Sequence, residues 1–436
     1  MRSLRLAVRF AHIALVMALS VIGYAIRRVR AGRLDRAGLE GLRGERLAAL
    51  MERLGATFVK FGQILSTRPD LLGPGYTDKL ARLQDAVPPA PFSTVEEVLS
   101  RELGHEARSR LVFIDPEPVA AASVAQVHRA TLDTGEEIAL KVQRPDAEPQ
   151  IERDLAILSI LARLVDKLPS VHLLSIPGAV DRFAEALRGQ LDFQLEAEHN
   201  RRFAANFADV PSVGVPRLYD DLCTRRVLGM EFVEGAKATD GDHIHGDRKK
   251  LARVGGEAIL KMVFVDGFVH ADLHPGNILL TDDNRVILID LGMVTEIPPD
   301  LQRPWVETFI ALSRSDGPKA TELFYGYAPS VGDTRYPELE RDVSANLAKL
   351  AGKSLGEVEV GKAVSGMMNA LRRHHVQVDP TFTVVHISLL VAEGLGKQLD
   401  PEIDMVAMAV PFLMQAMISA PPARPPNREP PRALPA

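Results

Sequence analysis

Residues 10–26 form an apolar run broken only by His12, Ser20 and Gly23, with arginines at both ends. Arg2, Arg5 and Arg9 precede it, Arg27, Arg28, Arg30 and Arg33 follow, and no acid appears before Asp35. The run is at the short limit of the roughly 17–25 residues that cross a bilayer. Arginines stand where a signal peptide would have its small-residue cleavage site. The pattern therefore predicts a membrane-spanning or membrane-surface helix, with an ordinary buried helix as the alternative. If it spans, the denser arginines after Ile26 hold the rest of the chain on the cytoplasmic side.

Farther on, Leu47, Leu50, Leu54, Phe58, Phe61 and Leu65 recur at threes and fours, which predicts one helix over 36–67 ended by Pro69. Pro88, Pro89 and Pro91 mark a linker, and Ser93-Thr94-Val95-Glu96 has the capping-box pattern of a new helix. From about 113 to 142 the pattern turns to strands, with Asp133-Thr134-Gly135-Glu136 as a hairpin turn. Helices are expected at 151–168 and 181–208, then a short strand pair that includes 226–233. Residues 286–289 read as a buried strand, and beyond Pro299 the chain reads as helical to about 420. The stretch 405–420 is apolar but short and broken by Pro411, too little for a second span. Residues 421–436 are proline-rich and read as a disordered tail.

Composition narrows the classes. At 436 residues the chain is long enough for more than one domain. A formal net charge of −5 gives no case for a nucleic-acid partner. Cys223 is the only cysteine, so no intrachain disulfide can form, and a small buried apolar role suits it better than a reactive thiol.

The chemistry concentrates in His270-Ala271-Asp272-Leu273-His274-Pro275-Gly276-Asn277 and Ile289-Asp290-Leu291-Gly292. An aspartate, an asparagine five residues on and a second aspartate thirteen beyond form a phosphotransferase arrangement. One carboxylate orients a proton, while the amide and the other carboxylate hold magnesium against nucleotide phosphates. His270 and His274 are four apart, but no third ligand lies near them to suggest zinc.

Upstream, Ala139-Leu140-Lys141 ends a strand-turn-strand, as in the kinase strand whose lysine neutralises the α- and β-phosphates. Where a glycine-rich phosphate loop would lie, the chain has Ala120-Ala121-Ala122-Ser123. Alanine narrows the backbone conformations available there, which points to altered nucleotide handling rather than lost binding. Lys141 needs a carboxylate partner, and spacing leaves two pairs open: Glu152 and Asp154, or Asp192 and Glu196 one turn apart on a later helix. On the 36–67 helix, Lys60 and Gln63 project opposite the apolar stripe, with Ala56 and Thr67. That polar face either meets water or packs against the site.

Taken together, Lys60-Phe61-Gly62-Gln63, the alanine loop, Leu191-Asp192-Phe193-Gln194-Leu195-Glu196-Ala197 and the 270–277 loop resemble the motifs of the UbiB/AarF atypical kinases, in that order, over roughly residues 40–300. The resemblance implies an α+β, protein-kinase-like bilobal fold with an N-terminal helical extension and a mostly helical C-lobe. Its expected divisions are a membrane-associated helix (1–35), the extension with its Lys-x-Gly-Gln motif (36–105), an N-lobe with inserted helices (106–235), a C-lobe (236–420) and the tail (421–436). It implies ATP and Mg²⁺ as cofactors. Lys141, Glu196 and Asp272 would be catalytic, and Asn277 and Asp290 would be the metal ligands. Ala120 to Val124, Lys60, Gln63 and Asp192 would handle nucleotide, with the Lys60 helix over the nucleotide cleft.

Family members are associated with ATPase activity and with ubiquinone or other isoprenoid-lipid metabolism at membranes. The implied partners are accordingly membrane lipids, quinone-type molecules and proteins of lipid biosynthesis. One departure is Gln190, which stands where the family typically has a glutamate, so any partnership with Lys60 there would be a neutral hydrogen bond. Pro298 and Pro299 begin a helix almost directly after Asp290-Leu291-Gly292, leaving no room for a peptide-docking activation segment. Two other readings share some motifs: a small-molecule phosphotransferase of the aminoglycoside or choline kinase type, and a nucleotide-sensing scaffold.

Overall fold

The computed structural model describes residues 2–30, 35–66, 72–83, 88–166, 176–349 and 360–430. The chain divides into two compact units, Met1–Arg201 with Pro216–Phe232, and Arg202–Val215 with Val233–Ala436.

In the first unit, α1 (Arg2–Arg30) is the one described helix long and apolar enough to cross a membrane. The expected 36–67 helix is two helices, α2 (Arg36–Leu54) and α3 (Ala56–Ser66). Gly55 breaks them at φ 97°, ψ −174°, a conformation essentially reserved for glycine. Thr67 and Pro69 lie outside the described residues. After α4 (Pro74–Leu80), α5 (Phe92–Glu102) starts one residue before Ser93, with Pro91 at its cap position, so Ser93 caps nothing. A short α6 (His105–Ser109) precedes the sheet.

That sheet holds β1 (Leu111–Ile114), β2 (Ala120–Ala121), β3 (Ala125–Leu132) and β4 (Glu137–Gln143). The β3–β4 hairpin closes through Gly135 at φ 83°. Next come α7 (Ala147–Val165), α8 (Ile176–Gly189) and α9 (Phe193–Asn206). The expected 181–208 helix is therefore interrupted at 190–192, where Asp192 leaves the helix and its carboxylate accepts from the Gln194 N–H at 3.0 Å. Between α9 and the last strands runs β5 (Val213–Gly214), which joins the second unit's sheet. β6 (Leu218–Cys223) and β7 (Val227–Glu231) complete the first, in the order β1-β3-β4-β7-β6 with β2 on β3.

Met51, Leu54, Phe58, Leu80, Leu83, Ile151, Leu155, Phe183 and Leu187 bury one core across α2, α3, α4, α7 and α8. Gly62 permits this packing, because a Cβ there would stand 2.4 Å from Leu83 Cδ1. α1 joins the same core through Ile13 and Val16. Arg9 donates to both carboxylate oxygens of fully buried Asp154, at 2.7 and 2.9 Å, and to the Leu54 carbonyl at 2.6 Å.

The second unit begins with β8 (Ala236–Lys237), α10 (Arg248–Lys261) and β9 (Phe268–His270). β10 (Ile278–Leu280), β11 (Val286–Leu288) and β12 (Val294–Glu296) follow. Two small sheets result, β5-β11-β10-β8 and β12-β9. The remainder is helical: α11 (Pro299–Ser313), α12 (Gly317–Tyr327), α13 (Tyr336–Ala348), α14 (Val360–Arg373), α15 (Pro380–Leu399) and α16 (Met405–Ser419). Trp305, Phe309, Phe324 and Phe382 pack edge-on or stacked at the centre of its core.

The stretch expected to be a disordered tail is an ordered strap over 424–428. The Arg424 N–H donates to the Asp300 carbonyl at 3.1 Å and the Asn427 N–H to the Gly326 carbonyl at 2.7 Å. Arg428 donates to the Ala328 carbonyl at 2.6 Å. Proline content alone suggested disorder, yet these donors satisfy carbonyls on α11 and at the end of α12. Residues 431–436 lie outside the described residues.

Buried His386 on α15 gives a pH test of this unit. Its Nε2 lies 3.3 Å from Ser365 Oγ, and burial holds its imidazole down at about 4. The folded value is below the unfolded one, so stability is full above about pH 6.5 and is lost as pH falls toward about 4. Chemical denaturation at about pH 5 should show about 2 kcal/mol less stability than at about pH 7 from this group. His386→Leu should flatten that slope, and an unchanged slope would remove His386 as its source.

Candidate functional site

In the first unit the site starts from strand order. β4 is central, paired with β3 through Val127↔Lys141 and with β7 through Lys141↔Leu228. Lys141 therefore leaves a rigid strand, and its Nζ lies 2.8 and 2.9 Å from the two carboxylate oxygens of Glu196. The side chains are 12 % and 6 % exposed, so the pair is nearly dry. Glu196 sits in the first turn of α9, where the positive end of the helix dipole favours a carboxylate. Phe193, at the start of the same helix, places its ring 5.3 Å from Lys141 Nζ.

This geometry chooses between the two carboxylate pairs that spacing left open. Glu152 is bound to Arg188 at 2.6 Å, which holds its carboxyl below the usual range, and Asp154 is bound to Arg9. Asp192 caps α9 and lies 4.0 Å from Arg225.

The alanine loop is a tight turn of a β2–β3 hairpin. Ala120 and Ala121 pair with Val127 and Gln126, and the Ala122 N–H donates to the Ala125 carbonyl at 2.8 Å. None of these residues has positive φ, so the turn needs no glycine. Val124, expected to face nucleotide, is instead buried in the core with α3 and α7, which leaves only its backbone in the loop.

Sequence reasoning overlooked Arg144. It donates to the Pro88 carbonyl at 2.9 Å and the Ala122 carbonyl at 3.5 Å, tying the proline linker to the loop. Buried Gln126 does the same, accepting from the Ala90 N–H at 2.8 Å. An Arg-Pro pair directly after the Lys141 strand was the only signal available.

Lys60 is half-buried and lines a cavity of about 200 Å³ with Thr57, Ser123, Arg144 and Gln150. At Lys60 the polar face of α3 thus opens onto a space shared with Ser123 of the alanine loop. Gln63 does not share the cavity, and its amide donates to the Leu83 carbonyl at 3.0 Å. The neutral Lys60–Gln190 hydrogen bond is not formed, because Gln190 Oε1 is buried without a hydrogen-bond partner.

In the second unit, β9 and β11 deliver the loop residues. The Asp272 N–H donates to His270 Nδ1 at 3.2 Å, and His270 Nε2–H donates to the Ile289 carbonyl at 3.4 Å. Burial lowers the His270 pKa and keeps the ring neutral, the state that both bonds require. One imidazole therefore ties the Asp272 loop to the segment that carries Asp290, leaving neither of its nitrogens for a metal. His274 Nδ1 accepts from the Gly276 N–H at 3.1 Å.

Asn277 Nδ2 donates to the Asp272 carbonyl at 3.1 Å, so Oδ1 is the side-chain atom that could hold a cation. Asp290 follows β11 by two residues at φ 55°, a left-handed conformation that aspartate tolerates. An amide oxygen and a carboxylate are hard donors, and the pair fits Mg²⁺. Cys223 stays outside this chemistry. Its thiol donates to the Tyr219 carbonyl at 3.2 Å, and burial pushes it up to about 11.

Residues 82–324 match the ABC1 atypical kinase-like domain and residues 343–404 the UbiB helical domain. A probable protein kinase UbiB of Pseudomonas fluorescens (strain Pf0-1) is 36 % identical over 392 residues, 88 % of this chain and 73 % of that protein. A protein of the same name from Pseudomonas paraeruginosa is 35 % identical over 431 residues, 96 % of this chain and 80 % of its own. Among solved structures, Mycobacterium tuberculosis Rv3197, in complex with erythromycin, superimposes with a TM-score of 0.56 at 23 % identity, covering 80 % of this chain and 90 % of that one. That likeness concerns the fold.

Proposed function

The chain belongs to the UbiB group of ABC1 atypical kinase-like proteins, and from that membership we propose that it turns over magnesium-ATP at a membrane, in support of ubiquinone or other isoprenoid-lipid metabolism. The observation that carries the ATP reading is the dry Lys141–Glu196 ion pair on the central strand, next to the turn that replaces a glycine loop. Glu196 holds the ammonium in place, and Lys141 neutralises the α- and β-phosphates. Ala120 to Ser123 lie over the phosphates, with Lys60 lining the space behind Ser123.

Asn277 and Asp290 would hold Mg²⁺, which when bound neutralises charge on the transferring phosphoryl group. Asp272 orients the attacking oxygen, either of water or of an acceptor hydroxyl, and accepts its proton. His270 keeps that carboxylate's loop in register with Asp290. Membrane lipids or quinone-type molecules are the proposed partners, together with proteins of lipid biosynthesis. Asp192 and Gln63 support the site by capping α9 and by holding the turn after α4.

ATP hydrolysis by the purified chain tests this reading. Turnover should require Mg²⁺, stop with chelator and rise with phenolic or anionic-lipid additives. Asp272→Asn should keep Mg-ATP binding while lowering turnover by roughly 10²-fold. Nucleotide binding without any turnover in the native chain would favour a scaffold, and loss of binding in Asp272→Asn would reassign that residue.

A further inference from the structure

α1 has two unlike faces. Toward the first unit it presents Arg9, Ile13, Val16 and Ser20, packed against α2 and α7. Away from it, Val8, Leu15, Leu19, Ile22, Ile26 and Val29 are 63, 59, 50, 56, 48 and 82 % exposed. Their spacings of seven, four, three, four and three place them on one stripe. Phe10, Met17 and Val21 are also exposed and widen it. No acid occurs anywhere in the helix, whereas Arg27, Arg28 and Arg30 fill its last turn.

We infer that α1 seats the first unit flat on a bilayer that carries anionic headgroups, with this apolar face inserted among the acyl chains and the helix not crossing. The inference rests on the membrane part of the proposed function and specifies its contact surface. Crossing conflicts with the packing of α1 along α2. Arg9 binds the Leu54 carbonyl, Arg43 reaches Tyr24 Oη at 3.3 Å, and Arg27 pairs with Glu45 at 2.7 Å. Those contacts run from residue 9 to residue 27, about 27 Å of helix, nearly the thickness of the hydrocarbon layer. Spanning would take Arg43, Glu45 and Arg46 of α2 into lipid or strip α1 from its core.

A second copy of the chain is a poorer occupant. A paired coiled coil needs a narrow seam with complementary charges beside it, and this face is wide and flanked by arginines alone. Anionic headgroups supply the missing complement, and an arginine-bearing helix with one apolar face is suited to lie in that interface.

Flotation of the full chain with vesicles tests the inference. It should float with phosphatidylcholine vesicles that contain phosphatidylglycerol, float less at high salt or without the anionic lipid, and be released by alkaline carbonate. Leu19→Glu with Ile22→Glu should lower flotation by roughly tenfold or more while leaving lipid-free ATP hydrolysis unchanged. Resistance to carbonate would establish a span and overturn the inference. So would equal flotation of the variant, or a native dimer in light scattering that the same substitutions dissolve. Absent ATP turnover with flotation intact would defeat the ATP reading while leaving the surface contact standing.

Discussion

Asp290→Asn is expected to lower magnesium-ATP turnover by roughly 10³-fold or more while the protein stays folded. The substitution keeps one side-chain oxygen and removes the negative charge, which is what a hard divalent cation needs most from this position. Asp290 has φ 55°, and asparagine tolerates left-handed backbone as readily as aspartate, so the change adds no strain. Alanine would be a worse probe, because its loss of activity would mix with a backbone cost of about 1–2 kcal/mol. The check is hydrolysis rate beside calorimetric binding of nucleotide with and without Mg²⁺. Native-like melting with a lost magnesium dependence supports the assignment. Turnover within about threefold of native would remove Asp290 from the metal set, since a ligand's charge is worth far more than that.

Glu196→Gln should carry the second-largest effect, and on two observables at once. Lys141 and Glu196 are 12 % and 6 % exposed, so removing one charge leaves the other buried without compensation. Such a break costs about 3–5 kcal/mol. The first unit should melt earlier, and Mg-ATP affinity should fall as Lys141 loses its fixed position. Replacing both residues, as Lys141→Met with Glu196→Leu, should recover much of the stability, because two apolar side chains need no partners. Nucleotide binding should stay lost in that double variant. Recovery of stability without recovery of binding separates a functional pair from a structural one. A Glu196→Gln protein with native stability and native affinity would mean that the ion pair serves neither purpose.

The local code was readable where a single residue type decides the outcome. The Asp133–Glu136 turn, the Val286–Leu288 strand and the helical run after Pro299 fold where their patterns indicate. Patterns failed where two signals competed. The apolar stripe of 47–65 continues straight through Gly55, so periodicity masked the break that φ 97° imposes. Similarly, 181–208 is helical in composition, but Asp192 caps a fresh helix instead of continuing the old one. Val124 was placed with the nucleotide-handling residues beside the alanine loop, yet its side chain belongs to the core. Prolines after 420 suggested disorder because composition cannot show which carbonyls wait nearby.

By itself the sequence determined the residue types on which the proposed chemistry rests: a lysine strand, an alanine loop, and aspartate, asparagine and aspartate at set intervals. Those are properties of residue type and local spacing, which one chain segment can specify alone. Tertiary structure decided every partnership across segments. Glu196 rather than Asp154 binds Lys141, although both lie on helices that follow its strand, and Arg9 from the first helix holds Asp154. Lys60 lines a cavity with Ser123 while Gln63, a turn away, spends its amide on Leu83. The apolar face of α1 is likewise defined only by what α2 and α7 cover. Charges and apolar faces are satisfied by whatever packs against them, and packing over such distances is a property of the fold.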